Sequence, residues 1–448
     1  MLSVDQARQT AQSLVQRALD VGADSADAIY VAGHSTSVQV RLGELEDVSR
    51  SEGEEIGLRL FLGQRSATVS SSDLSEEALA RLAERARAMA AEAPEDQFAG
   101  LAPAERLHRG DFPFLDSVDP VDPDPADLRA RALAAEAASR AVPGVTNSNG
   151  GSASTSGSVI ALATSHGFAG AYATSGHSVS AGVIAGEGAT MQRDHAWHSA
   201  RHLEDLEDAA EIGRRAGERV VARLNPVRPK PGRRPVIFDT RVSASLLGHL
   251  SGAISGSAIA RKSSFLDARL GERIFGTAVS IIDDPLRLRG LRSRPFDGEG
   301  LSVSKTEVIS NGVLRTWMAE SASARQLGIA PTGHAARGVG GSPGVAPSNF
   351  YMSAGKRGRA EILASFPEAI LVTELIGMGV NGVTGDYSRG AAGFFVRGGE
   401  IAEPVFEMTI ASNLLDMFAT LEPASDLEFR RGVDAPTILV PEMTVAAA

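Results

Sequence analysis

The sequence predicts an α+β fold, in which two helix–strands–helix units of similar design precede a β-rich, mainly antiparallel C-terminal domain. Helical and strand-like apolar periodicities alternate twice before residue 225. Two proline-rich connectors then divide the chain, and the part after the second one is rich in glycine and in strand-like segments. At 448 residues the chain is too long for one ordinary core. We therefore divide it into an N-terminal α+β unit (1–110), a central α+β unit with its linkers at 111–125 and 226–235 (111–234), and a C-terminal domain (235–448).

The first unit opens with a helix whose start is marked by Ser3. Gln6 stands three residues later and completes a capping-box pattern, and Gly22 is typical of the position just past a helix end. Two strands with alternating apolar residues follow, and then a helix with leucine and alanine on one side and charged residues on the other. We place these strands at 38–42 and 56–62 and the second helix at 73–91.

The second unit repeats this layout. Pro125 suits the first turn of a helix, because its missing N–H would be unpaired there in any case. Ser165-His166-Gly167 stands ahead of a strand pair, as Ser51-Glu52-Gly53 does in the first unit, which indicates an internal duplication. We predict a helix from Pro125 to about Val142, short strands at 159–163, 168–174 and 177–186, and a closing helix at 203–224.

The composition points to a soluble protein and excludes several classes of function. The formal net charge is −11, which argues against nucleic acid as a partner, since binding to phosphate backbones rests on clustered Lys and Arg. The chain has no cysteine, so disulfides, thiolate metal ligands and a cysteine nucleophile are excluded within it. The first residues follow a helical pattern rather than that of a signal peptide, and no apolar run reaches membrane-spanning length. We expect a cytoplasmic protein without a membrane contact.

Two glycine-rich patterns resemble enzyme motifs but fail on physical grounds. The segment 340–344 fits Gly-x-Ser-x-Gly, but the residue after the serine is Pro343, which has no N–H to donate to an oxyanion. The segment 377–382 follows a strand-like run and fits a dinucleotide fingerprint, yet loop-type residues stand where that fingerprint needs a helix. We predict loops at both positions.

His195, His198 and His202 form a group of candidate metal ligands behind Asp194. Their spacing would gather a metal ion if the segment were helical. The sequence around them is more typical of a strand end, where His195 and His198 face opposite ways. We favour a solvated, histidine-rich surface and keep a metal site as the alternative.

A predicted helix at 242–260 is more informative. Ala244, Gly248, Gly252 and Gly256 recur every four residues, so that one stripe of this helix has almost no side chain and admits another backbone. His249 lies beside the stripe. The simpler interpretation is a helix packed inside the chain with a hydrogen-bonded histidine, and the alternative is a stripe that lines a cleft or an interface. Further on, we predict a short helix at 413–421.

From this helix onward the chain resembles the TldD/PmbA family, and the resemblance extends over nearly its whole length. The order and number of the matching segments carry it, and the first and last of them are of the PmbA (TldE) type. The segments are Gly248 to Ala258, Ser293 to Gly300, Asn311 to Leu314, Pro331 to Gly333, Ser348-Asn349 and Thr384 to Ser388.

The resemblance implies a cytoplasmic peptidase made of two related subunits. The TldD-like subunit carries a His-Glu-x-x-x-His helix and a distant Cys that together bind zinc. In this chain the first His position is Ala244, the Glu position is Ser245, and only the second His remains, as His249. Zinc peptidase chemistry needs about three protein ligands and usually a carboxylate base, so this chain is predicted to be inactive alone and to hold no zinc, which is expected in the partner subunit.

We therefore predict a non-catalytic partner subunit of a TldD/TldE-type zinc metallopeptidase that processes unfolded, extended peptides. Its partners would be a TldD-like catalytic subunit and the peptide, and self-dimerisation remains open. One alternative is a stand-alone homodimeric peptide-binding protein. Another is a self-sufficient hydrolase that uses His249 with Asp297 or Glu299. Candidate cleft or interface residues are Gly248, Gly252, Gly256, Arg294, Asp297, Glu299, Asp386 and Tyr387.

Overall fold

A six-stranded antiparallel sheet holds the strands of the first 200 residues in the computed structural model, which describes residues 1–447 apart from the side chain of Ala189. Two helix–three-strand–helix units contribute to it, which confirms the predicted layout. The first unit comprises α1 (Val4–Asp20), β1 (Ser25–Arg41), β2 (Glu44–Leu62), β3 (Arg65–Ser71) and α2 (Glu76–Glu92). The second comprises α3 (Pro125–Arg140), β4 (Val145–Thr164), β5 (Ala169–Ala185), β6 (Gln192–Ala200) and α4 (Ala209–Ala222).

The two units share this sheet through their first strands. The strand order is β3-β2-β1-β4-β5-β6, and β1 pairs with β4 from Asp27 opposite Thr164 to Val40 opposite Gly151. The helices cover the sheet with small apolar side chains, so that the core between α1, α2 and the strands is built largely from alanine, valine and leucine. The two units are thus joined by main-chain hydrogen bonds between β1 and β4 as well as by the connecting segment of the chain.

The starts of α1 and α3 were well predicted, whereas several strands were predicted too short. The capping box of Ser3 and Gln6 is present at α1, and Pro125 stands at the first turn of α3 behind Asp124. The predicted strands at 168–174 and 177–186 are one strand, β5, and Ser51-Glu52-Gly53 lies inside β2 rather than ahead of a strand pair. The closing helix starts at Ala209 and not at residue 203, because Asp208 supplies the cap.

The C-terminal domain begins with β7 (Gly232–Phe238), so the second linker is shorter than predicted and its last residues join a strand. Helices there are α5 (Thr240–Ala253), α6 (Gly256–Ala260), α7 (Ser321–Leu327), α8 (Arg359–Leu363) and α9 (Leu414–Thr420). Strands are β8 (Ile281–Asp283), β9 (Thr306–Ser310), β10 (Val313–Leu314), β11 (Ala335–Ala336), β12 (Gly344–Val345), β13 (Phe350–Met352), β14 (Glu368–Ile376), β15 (Asp386–Arg397), β16 (Glu400–Asn413), β17 (Glu422–Pro423), β18 (Val433–Asp434) and β19 (Ile438–Ala447).

The larger sheet of this domain has the order β16-β15-β14-β7-β19-β17, and β16 also pairs with β19, so that five of its strands close on themselves. A second sheet has the order β10-β9-β8-β13-β18. Within the described residues, the ladders β7–β14 and β13–β18 are parallel and the others antiparallel, which confirms a mainly antiparallel domain.

The predicted helix at 242–260 is two helices in the structure. Helix α5 ends at Ala253, and Ser255 caps the new helix α6 by accepting a hydrogen bond from the N–H of Ala258. The chain turns there because the N–H of Gly256 donates to the carbonyl of Met318 in a different segment. Among the described residues, no helix is long and apolar enough to cross a bilayer.

Candidate functional site at the open face of helix α5

Helix α5 follows strand β7 directly, so its position is fixed by the core of the C-terminal domain. Asp239 caps the helix by accepting a hydrogen bond from the N–H of Arg241. Leu246, Leu247 and Leu250 are buried in the domain core beneath it. The opposite side of the helix is therefore left to carry the glycine stripe.

The stripe divides into an open part and a packed part. Gly248 and Gly252 are exposed, and a Cβ atom added at either would meet no atom within 4 Å. Gly256, after the helix break, is buried, and a Cβ there would lie 2.9 Å from Cβ of Ser323 and 3.0 Å from Cβ of Ala319. The expectation that the whole stripe packs inside the chain is thus wrong for Gly248 and Gly252 and correct for Gly256.

A shallow cavity of about 250 Å³ lies along the open part of the stripe. The loop between β14 and β15 forms its other wall and is tied to the α6–β8 segment by the hydrogen bond from the N–H of Phe265 to the carbonyl of Gly382. The lining residues are Gly248, His249, Gly252, Ala253, Ser263, Phe265, Met378, Val380, Gly382, Arg389 and Leu414. Of the predicted site elements, Gly248 and Gly252 line this cavity, and residues 384–388 do not, although Tyr387 contacts the lining residue His249.

His249 points into this region without the hydrogen bond that we expected. Its ring meets the ring of Tyr387 edge to face, and its Nε2 atom is shielded from solvent with no partner among the described residues. Burial, and then the positive charge of Arg389, lower the pKa of His249 below its usual value. The imidazole is therefore neutral near pH 7 and can accept or donate one hydrogen bond.

The donor set around His249 does not fit a zinc ion. Ala244 has no donor atom, and the hydroxyl of Ser245 donates to the carbonyl of Val242 at 2.6 Å. No group of three or more metal-ligating side chains occurs within residues 1–447. A single neutral imidazole beside the guanidinium of Arg389 falls short of the three protein ligands that a catalytic zinc requires.

Asp386 organises the loop that borders the cavity. Its carboxylate accepts hydrogen bonds from the hydroxyl of Thr384 at 2.6 Å and from the side-chain amide of Asn413 at 3.3 Å. These hydrogen bonds lower the pKa of the exposed Asp386 carboxyl. Tyr387, the next residue, is buried against His249.

Arg294, Asp297 and Glu299 lie in a different place, where the C-terminal domain covers the face of the N-terminal sheet. Arg294 and Asp297 line a larger cavity of about 620 Å³, whose walls include Ile29, Val31, Glu54, Ile160, Leu162, Tyr172, Phe296 and residues 335–339. Asp297 accepts backbone N–H groups of Glu299, Leu301 and Ala335, so it fixes the loop that carries it. The role of Asp297 in these contacts is therefore structural.

Glu299 is buried beside this cavity. It accepts two hydrogen bonds from Ser321, at 2.9 Å from the N–H and 2.7 Å from the hydroxyl. Burial raises the pKa of Glu299 to about 7, and the nearby Asp297 adds to the rise. No hydrogen bond or ion pair within residues 1–447 joins His249 to Asp297 or Glu299, so the structure does not assemble the hydrolase site considered as an alternative.

The three histidines near residue 200 also do not form a site. His195 and His198 stand on opposite faces of β6, as predicted for a strand. His202 is buried, with its Nε2 3.3 Å from Oδ1 of Asp116, so the expectation of a solvated surface is wrong for this residue. The burial of His202 follows from contacts with residues far away in the chain, which the sequence around His202 does not reveal.

The apolar border of the cavity was missed at the sequence level. Met378 is 91% exposed and Val383 is 58% exposed, although both are large apolar side chains. Both lie in the glycine-rich loop whose dinucleotide motif was rejected, and the structure confirms that no helix follows it. Exposed apolar residues in a glycine-rich loop are the signal that would have found this surface.

Comparison with known proteins gives matches over almost the whole chain. Three family models match consecutive stretches: PmbA/TldA metallopeptidase domain 1 at residues 26–90, the central domain at 118–224 and the C-terminal domain at 231–447. Metalloprotease PmbA of Escherichia coli O157:H7 is 37% identical over 99% of this chain and 97% of its own length. The Metalloprotease PmbA homolog of Haemophilus influenzae is 36% identical over 98% of this chain and 96% of its own length.

Solved structures show the same fold at lower sequence identity. TldE from Thermococcus kodakarensis superposes with a TM-score of 0.87 at 20% identity, over 98% of this chain and 100% of that one. A protein from Bacteroides thetaiotaomicron, described as a proposed modulator of DNA gyrase, superposes with a TM-score of 0.91 at 24% identity over 100% of both chains.

Proposed function

The chain belongs to the TldD/PmbA family, and on that premise we propose that it is the zinc-free, non-catalytic partner of a TldD-type zinc peptidase subunit. One observation on helix α5 carries the proposal. The two positions that would hold the first zinc ligand and the general base are Ala244 and Ser245, while the same helix keeps an open, side-chain-free face at Gly248 and Gly252. Helix α5 lacks the first zinc ligand and the general base, but it has an open surface that another chain could contact.

The open face has the properties of a surface that another chain covers. Gly248 and Gly252 allow a second backbone to approach closely. Met378 lines the same cavity, and the loop that carries it also exposes the apolar side chain of Val383. Apolar groups clustered in this way mark interaction sites more often than free surface. The surface made by these four residues, which we call the α5 face, is the proposed contact with the catalytic subunit.

The substrate in this proposal is an unfolded peptide in an extended conformation. Such a peptide pairs through its backbone with a strand edge or a flat backbone surface, so that sequence preference is weak and folded proteins are excluded. Gly248, Gly252, Asp386 and Tyr387 would line the part of the cleft that this chain contributes. The assembly would act in the cytoplasm, and the zinc ion would belong to the partner subunit.

A second copy of this chain is the competing occupant of the α5 face. Its exposed apolar border would suit a self-dimer as well, and that arrangement corresponds to a stand-alone peptide-binding protein. The two functions differ in what the complex contains and in whether it cleaves peptides.

The test is co-expression with a TldD-type subunit that has an intact His-Glu-x-x-x-His helix, followed by light scattering and a peptidase assay on an unfolded peptide. We expect a hetero-complex that cleaves the peptide and no cleavage by this chain alone. Formation of a self-dimer only, in the presence of the TldD-type subunit, would favour the stand-alone binding protein. Cleavage by this chain alone would overturn both functions.

A further inference from the structure

A third cavity, which is strongly basic, lies at the N-terminal end of helix α5. It has a volume of about 700 Å³ and is formed by strand β6, helix α4, the first turn of α5 and the segment at 428–435. Seven arginines line it against four carboxylates, which leaves a formal excess of three positive charges with His195 neutral. This excess stands out in a chain whose net charge is −11.

Four of the seven arginines have a carboxylate partner within the chain. Asp194 is buried, and two of these arginines together satisfy its oxygens, so it adds no free negative charge to the cavity. The pairs are Arg223 and Arg241 with Asp194, Arg215 and Arg430 with Glu207, and in addition Arg223 with Glu374 and Arg430 with Glu428.

The other three arginines, Arg193, Arg219 and Arg431, have no carboxylate within 4 Å among the described residues. The guanidinium of Arg219 makes one hydrogen bond there, to the carbonyl of His195 at 3.3 Å. Burial lowers the pKa of Arg219 to about 10, and the charge of Arg241 adds to the fall. Arg219 is half-buried and keeps part of its contact with water, and its charge has no carboxylate partner, so it is free to pair with an anion that enters the cavity.

Arg431 is held in place on the same cavity. Its guanidinium donates to the carbonyls of Thr240 and Arg241, at 3.3 and 2.9 Å, and lies 5.4 Å from the centre of the Trp197 ring. The first turn of α5 also faces the cavity, and the positive end of a helix dipole favours an anion there. The guanidinium of Arg431 is therefore held in place before any ligand binds.

We propose that this cavity binds a small polyanion that carries two or more phosphate or carboxylate groups. The fork of an arginine side chain matches the paired oxygens of both groups, and three uncompensated arginines correspond to an anion of two to three charges. The volume lies within the range of small-molecule sites. The site is independent of the proposed peptide cleft, because none of its lining residues lines the cavity at the α5 face.

The test is calorimetric titration of the full chain with inorganic pyrophosphate and, separately, with citrate, at low and at physiological ionic strength. We expect one site per chain that weakens with salt. Tighter binding of pyrophosphate would assign a phosphate ligand, and tighter binding of citrate a polycarboxylate. Binding of neither anion would overturn the proposal.

Variants of two arginines on α4 locate the site. Arg219→Met removes an uncompensated charge from the cavity and should weaken binding about tenfold or more. Arg214→Met is the matched control, since Arg214 is exposed on the same helix and pairs with Glu211 and Glu218. Equal affinities of the two variants would overturn the proposal. Arg193→Met, at an exposed position of the cavity, should also weaken binding and provides the test if Arg219→Met fails to fold.

Discussion

The rings of His249 and Tyr387 meet edge to face, with 5.9 Å between their centroids and 80° between their planes. Each ring also carries a polar atom that is shielded from solvent and makes no hydrogen bond of ordinary geometry in the described residues, Nε2 of His249 and the hydroxyl of Tyr387, although the guanidinium of Arg389 lies beside that hydroxyl. A buried polar group without a hydrogen-bond partner costs roughly 1–3 kcal/mol of stability, so such groups are rare in well-packed protein cores. Their position beside the α5 face suggests that a bound chain supplies the missing partner.

The substitution Tyr387→Phe tests this relationship. Because the hydroxyl makes no hydrogen bond of ordinary geometry in the described residues and only lies beside the guanidinium of Arg389, its removal should leave the melting temperature of the isolated chain nearly unchanged. Association with the TldD-type subunit should weaken. Calorimetric melting and a pull-down measure the two effects.

Tyr30→Phe is the matched control for that substitution. The hydroxyl of Tyr30 donates to Glu54 at 2.6 Å and accepts from the N–H of Leu2 at 3.2 Å, so its loss should cost about 1 kcal/mol of stability. If Tyr387→Phe destabilises the isolated chain as much as Tyr30→Phe does, the hydroxyl of Tyr387 has a partner inside the chain and the inference about a bound partner is wrong.

The second prediction concerns metal content. With Ala244 and Ser245 in place of a ligand and a base, and with no thiol in the chain, the purified protein should bind no stoichiometric zinc. Elemental analysis of this chain, beside a TldD-type subunit with an intact motif as the positive control, measures it. About one tightly bound zinc per chain would contradict the zinc-free assignment.

How much the sequence predicts depends on how local the determining contacts are. The start of α1 was predictable, because Ser3 and Gln6 satisfy each other within one helical turn. The first half of β2 was not, because residues 44–53 are all exposed and mostly polar, with Leu45 and Val48 outside any period-two pattern, and only pairing with β1 makes them a strand. A period-two pattern cannot mark a strand whose faces are both solvated.

The candidate site shows the same limit. The four-residue repeat of Gly248, Gly252 and Gly256 predicted close approach of a backbone, but the repeat cannot say which of the three has a neighbour. Gly256 is covered because Ser323 of the distant helix α7 packs on it, and Gly252 has no such neighbour. The arginines of the basic cavity come from four separate segments, so no local sequence pattern predicts that they lie together.

The third prediction is a pH dependence from Glu299. Its pKa in the folded protein is about 7, above the ordinary value of 4.5, because burial disfavours the ionised form. The contribution of Glu299 to stability is therefore complete below pH 4.5 and is lost as the pH rises toward about 7. Glu299→Gln keeps an acceptor for Ser321 and cannot ionise, so it should gain stability relative to the wild type between about pH 5 and about pH 8.

Glu136→Gln provides a control of opposite sign. Burial acts to raise the pKa of Glu136, but hydrogen bonds from Ser148 and from the N–H groups of Gly43 and Leu42 hold it below its usual value. This variant should lose stability relative to the wild type as the pH rises through the acidic range, where the ionised form is needed. Thermal melts of both variants across pH measure the slopes, and slopes of the same sign would contradict the assignment for Glu299.

The fourth prediction compares leucine at two positions of the glycine stripe. Gly252→Leu places its side chain in open space, so the isolated chain should melt at or above the wild-type temperature, since glycine inside a helix costs about 1 kcal/mol relative to alanine. Gly256→Leu forces atoms against Ser323 and Ala319 and should destabilise the chain by roughly 1–3 kcal/mol. Thermal melts of both variants measure this difference in the chain alone.

The same pair separates the partner function from a purely structural role of the stripe. If another chain covers the α5 face, the side chain of Gly252→Leu occupies the space of that chain's backbone, so association and peptidase activity of the mixture should fall although the isolated subunit is intact. Gly256→Leu would weaken association only because it unfolds part of the chain, so its association should recover at lower temperature. The weaker association of Gly252→Leu should persist at lower temperature, because a steric block on a folded surface does not depend on the folded fraction. Wild-type melting, association and activity of Gly252→Leu together would show that the open face contacts neither the catalytic subunit nor the peptide, and the proposed interface would have to lie elsewhere.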